Sequence, residues 1–131
     1  MDEQTLYFFD KMRDALPLYE KFEERVCSEI DGVEKKIQKT QISFYNGHLF
    51  SCVSFAKVRK AKDRPPVYIV VTFGTGKKIE SPRIDIATEP YPNRWTHHVL
   101  ISSLEEIDDE LMGWVKEAAD FSVGKRKKNT F

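Results

Sequence analysis

The chain has 131 residues, 21 basic and 21 acidic side chains, a formal net charge of zero, and 40% hydrophobic residues. That size suits one domain with a single core and no staples, and no apolar run approaches the roughly 20 residues that a membrane span needs. The opening "MDEQTLYFFDKM" lacks the basic stretch, apolar stretch and cleavage site of a signal peptide, so a cytoplasmic address is expected.

In chain order, residues 3–13 are expected to form a short helix. Pro17 then opens a second helix, because proline suits a first helical turn and disfavours helix in the residue before it. Leu18, Phe22, Val26 and Ile30 recur at helical spacing and read as its core stripe. The only cysteines are Cys27 and Cys52, with no CxxC and no Cys/His cluster at zinc spacing. Reduced thiols packed as small hydrophobes are therefore expected, not a disulfide or a metal site.

The period changes in "KTQISFYNGHLFSCVSF", where Asn46-Gly47 signals a hairpin. A two-residue turn would set Tyr45 opposite His48. It would align Ile42, Phe44, Leu49, Val53 and Phe55 on the core face and leave Gln41, Ser43, Tyr45, His48, Phe50, Cys52 and Ser54 on the other. "KVRKAKDRPP" reads as a loop and "VYIVVTF" as a buried strand. "PRIDIA" and "WTHHVLI" read as two further strands, with the proline-rich "TEPYPN" between them. Ser103 and Glu106 fit a capping box. Leu104, Ile107, Leu111, Trp114, Val115, Ala118 and Phe121 form the stripe of a long final helix.

Together these elements predict one α+β domain over residues 1–123: an antiparallel sheet of about five strands, with the N-terminal helices and the long C-terminal helix packed on one face. Residues 124–131 read as a basic, flexible tail. The charges segregate along this order. Residues 1–31 hold nine acids and four bases, 102–123 seven and one, 32–101 five acids and twelve bases, and the tail adds four bases. An acidic helical layer and a basic sheet layer follow, and the basic side is suited to an anionic ligand.

The adjacent pair His97-His98 poses the question of a metal or catalytic site. Neighbours on a strand point to opposite faces, so His97 should join Val99 and Ile101 in the core while His98 joins Thr96 and Leu100 outside. Two diverging rings with no HExxH motif and no carboxylate cluster do not make a metal site, and no cofactor is expected. "FGTGKK" lacks the spacing of a phosphate loop and reads as a turn. Asp108, Asp109 and Glu110 suit the positive end of a helix better than an acid–base pair.

"KTQISFYNGHLFSCVSF", "PNRWTHHVLI" and "SLEEIDDELMGWVKEAADFS" resemble the signature segments of an uncharacterised bacterial family, a domain of unknown function. The resemblance spans nearly the whole chain. More remotely, the order of helical start, antiparallel sheet, Trp-containing strand and acidic final helix is similar to the YjbR/CyaY-like α+β fold. That resemblance implies either iron binding on acidic helices, as in frataxin-type members, or the DNA binding attributed to YjbR-type members. A shared fold does not by itself confer either function.

The reading that follows is a small cytoplasmic binding or accessory module whose sheet face recognises an anionic partner such as nucleic acid. Its candidate ligand-binding residues are Lys39, Gln41, Tyr45, His48, Arg83, Arg94, Trp95 and His98. Arginine offers a planar fork for phosphate, and exposed aromatic rings offer stacking planes for bases. The balanced net charge argues against a dedicated nucleic-acid binder. Two alternatives stay open: an enzyme with His98 or His48 as acid–base, and a homodimerising interaction module.

Overall fold

A computed structural model of the chain describes residues 2–129, with side chains described as far as Ser122. Three α-helices occur among them: α1 (Glu3–Phe8), α2 (Leu16–Glu29) and α3 (Asp109–Asn129). Six strands form one sheet: β1 (Glu34–Ile37), β2 (Gln41–Tyr45), β3 (Leu49–Ser54), β4 (Ile69–Thr75), β5 (Ile86–Tyr91) and β6 (Arg94–Ile101). Every pairing is antiparallel and the order is β1-β2-β3-β4-β6-β5. The chain is thus α+β with one strand more than expected. The missed strand is β1, whose "EKKI" is too short and too charged to stand out as periodic.

The first helix is shorter than the expected 3–13. Asp2 caps it, its Oδ1 accepting the Thr5 N–H at 2.7 Å. Beyond Phe8 the chain tightens into a 3-10 turn, Asp10–Ala15, where Met12 leaves helical geometry. That break frees Met12 to pack under β4, where its sulfur lies 3.5 Å from the Tyr68 N–H. Pro17 sits in the first turn of α2 as the sequence suggests. Ser103 and Glu106 do form their box, with the Ser103 N–H donating to Glu106 Oε1 at 3.0 Å, but it caps a 3-10 turn, Leu104–Glu106. The start of α3 is capped by Asp108, which accepts the Leu111 N–H at 3.0 Å. The expected basic tail, 124–131, lies outside the residues whose side chains are described.

The helices share one face of the sheet, and α3 crosses β3 and β4. One core unites Phe9, Tyr19 and Phe22 of the N-terminal segment with Ile42, Phe44, Val53, Val71 and Val99 of the sheet, and with Leu111, Met112 and Val115 of α3. The hairpin departs from the expected alternation. Residues 46–48 form a three-residue turn in which the Asn46 N–H donates to the His48 carbonyl and Gly47 takes φ +96°. Tyr45 therefore faces Leu49 while Phe44 faces Ser51, so Phe50 is an extra, bulged residue. The bulge exchanges two expected positions: Phe50 enters the core at 3% exposure and Leu49 turns out at 47%. The other displaced element is β5. It takes in the "TEPY" read as loop and begins after "PRID", which makes the turn.

Candidate functional site

Among the described residues no helix lies across the face of the sheet away from α2 and α3, although Met12 reaches the apolar cluster at one end of it. In-register pairing sets Lys36, Ser43, Cys52, Thr72, His98 and Ile86 in one row across all six strands. At one end the loop 55–68 crosses this face. Val58 packs there with Tyr68, Val70 and Leu100 in a second small apolar cluster, so Leu100 is outward-facing but covered. Asp85 fastens the loop down: its carboxylate accepts from Arg59 Nε and from the Leu100 N–H, both at 2.7 Å. Its own N–H donates to the His98 carbonyl.

The two histidines diverge. His97 is fully buried on the helical side, stacked on Phe73 with ring centroids 5.2 Å apart, and its Nε2 accepts the Ile79 N–H at 2.9 Å. It is a core imidazole that holds the β4–β5 loop. His98 is half-buried on the outer face, its Nδ1 2.8 Å from Thr72 Oγ1. Burial lowers the pKa of both rings, so each favours its neutral form. Among the described residues no group of three His, Cys, Asp or Glu side chains is placed to hold a metal ion. The Cys52 thiol lies beside Thr72 in the same row, and burial raises its pKa, which opposes the reactive thiolate. Cys27, expected to be packed, is exposed on α2.

The eight candidate residues divide. Gln41, Tyr45, Arg94 and His98 share the outer face by register. Gln41 is committed to a local chain, donating to Ser43 Oγ, which in turn donates to Gln38 Oε1, each at 2.8 Å. His48 lies in the hairpin turn. Lys39 lies in the β1–β2 turn, at a wide recess of about 740 Å³ between α1 and that turn. Trp95 points to the helical side with the Lys78 ammonium 5.7 Å from its ring centroid.

Arg83 is a structural clamp. Its guanidinium donates to Asp108 at 2.9 and 3.1 Å, to Glu110 at 2.9 Å and to the Glu106 carbonyl at 2.7 Å, and it covers the Trp114 ring. It ties the β4–β5 loop to the start of α3, which leaves few donors for a ligand.

Unpaired bases outnumber acids on the outer side, where Glu34 also stands. On the outer side Lys36 and Arg94, and on the crossing loop Lys57, Lys60 and Lys62, have no ion-pair partner among the described residues. The helical side exposes Glu20, Glu24, Glu117 and Asp120. Lys36 escaped the sequence reading because β1 did, and Tyr91 because its segment read as loop. Alternation would have placed Lys36 had β1 been recognised, but not Tyr91, whose face is set by a register shift between Thr88 and Tyr91.

A family model described as "Domain of unknown function (DUF5655)" matches residues 5–122. No curated protein and no solved structure matches the chain.

Proposed function

The chain belongs to the DUF5655 family, a domain of unknown function, and from that premise we propose that it is a small binding module whose open sheet face recognises an anionic partner, nucleic acid first among them. The observation that carries this reading is the set of unpaired cations, Lys36, Lys57, Lys60, Lys62 and Arg94, on or over the face that the helices leave uncovered. Opposite layers of charge make the molecule a dipole despite its zero net charge, so a polyanion is oriented toward that face as it approaches. Tyr45 and Tyr91 stand on the same face and add planes on which bases can stack. The reading includes a cytoplasmic address, consistent with two free thiols. Of the two roles implied by the remote YjbR/CyaY-like resemblance, DNA binding fits the basic face better than iron binding fits the helices, where no group of three His, Cys, Asp or Glu side chains among the described residues is placed to hold a metal ion.

The test is the affinity of the full chain for a labelled single-stranded oligonucleotide at 50 and 200 mM salt. Each phosphate contact on a single strand should cost about 2.6-fold in affinity over that range, so three or more contacts should cost about 18-fold or more. Lys36→Glu with Arg94→Glu should weaken binding more than Glu20→Lys with Glu117→Lys strengthens it. Replacing Lys125, Arg126, Lys127 and Lys128 with serine separates the face from the basic end of the chain. Binding that vanishes with those four residues, or no binding at 50 mM salt, overturns the proposal.

A further inference from the structure

Where β4 ends, the hairpin turn of β5 and β6 and residues 118–122 of α3 line a recess of about 240 Å³. Its wall includes Gly74, Tyr91, Arg94, Trp95, Phe121 and Ser122. Three of these six are aromatic, one is a cation, and one is a hydroxyl. Arg94 has no side-chain partner among the described residues. Ser122 is 3% exposed, and its Oγ has no hydrogen-bond partner there. A buried hydroxyl without a partner is costly, and a ligand that bonds to it would remove the cost. Tyr91 is 66% exposed at the rim.

We propose that this recess is a single-nucleotide site: a heteroaromatic base enters among the rings of Tyr91, Trp95 and Phe121, and its phosphate lies on Arg94. The volume is below the roughly 300–1,000 Å³ of pockets for drug-sized ligands and suits one planar ring system. Rings supply stacking that tolerates any base, the guanidinium supplies a fork for phosphate oxygens, and Lys78, over Trp95, adds a second cation nearby. The inference rests on the anionic reading above and adds to it that a base is needed as well as a charge.

A nucleotide reaches such a site either free or as a unit of a strand, and the two are separable. Adenosine monophosphate, ribose 5-phosphate, a short oligothymidylate and an abasic strand of equal length are titrated against the full chain by calorimetry. The base-bearing strand is expected to bind about 5- to 150-fold tighter than the abasic one, the range for a single stacked base. Binding of adenosine monophosphate but not ribose 5-phosphate supports a free nucleotide as occupant. A base advantage confined to the strand supports a nucleotide unit within one.

Tyr91→Ala removes a ring from the recess and should reduce the base advantage while keeping salt-sensitive binding of the abasic strand, and because Tyr91 is 66% exposed the melting temperature should be unchanged. Equal binding of both strands, with no binding of the mononucleotide, overturns the single-nucleotide site and leaves the anionic face standing. Loss of all polyanion binding overturns both.

Discussion

Acidification should destabilise the protein first through His97. Its ring is fully buried and stacked on Phe73, and Nε2 accepts the Ile79 N–H at 2.9 Å, so a second proton would face a donor already in place. Burial is the main cause of its lowered pKa. The charges of His98 and Lys78 add to it. In the unfolded chain the ring titrates near its ordinary value of about 6.5. The native contribution is therefore whole above pH 6.5 and falls as pH drops below 6.5 toward the depressed native pKa. For a ring that stays neutral when folded, the loss between pH 6.5 and 5.5 is about 1 kcal/mol, approaching about 1.4 kcal/mol per further unit. His97→Gln keeps an acceptor for Ile79 and cannot titrate. Urea unfolding of both proteins at pH 7.5, 6.5 and 5.5 isolates the effect, since His98, also lowered by burial, is common to both. The variant should be less stable at pH 7.5 but should lose about 1 kcal/mol less between pH 6.5 and 5.5. Equal losses would show that His97 is not the source of the acid sensitivity.

Val53 is fully buried between Ile42 and Val71, so Val53→Asp places an unpaired carboxylate in the core and should cost on the order of 4 kcal/mol. An unchanged melting temperature would show that the assignment of the core face is wrong. Arg83→Met keeps an apolar stem near Trp114 but removes the bonds to Asp108, Glu110 and the Glu106 carbonyl, and should cost about 1.5–3 kcal/mol, less in high salt. A double-mutant cycle with Asp108→Asn reads the pair itself, and a coupling near zero would assign the loss to packing.

Much of the architecture was legible because it is written in local periodicity. Pro17 and the stripe from Leu18 to Val26 specify α2, and the parity of His97 and His98 on β6 follows from the spacing of Val99 and Ile101. What failed depends on partners distant in sequence. "EKKI" becomes β1 only because Ile37 and Lys35 find Ile42 and Phe44 across the turn. Lys35 is secured by Glu23 at 3.0 Å and Asp2 at 3.2 Å, neither of which its own neighbourhood announces. The Leu49–Phe50 exchange needed one bulged residue, and alternation carries no mark of a bulge until the opposite strand is fixed. Arg83 had the chemistry of a ligand-binding residue. Only the approach of α3, more than twenty residues later, commits it to Asp108 and Glu110.

The strand order also bears on how the chain folds. β1 to β4 is a meander in which each strand pairs with the next, and β5 and β6 form a tight hairpin of their own. Only the union of β4 with β6 joins strands that are not consecutive. Pairings between sequence neighbours close short loops at small entropic cost, so most of the sheet is assembled from low-contact-order steps. Within the sheet, the docking of the β5–β6 hairpin onto β4 is then the step expected to be slowest. Arg59, Asp85 and the Ile79–His97 bond lie at that seam, and mutations there should slow folding, whereas those at the β1 edge should chiefly hasten unfolding.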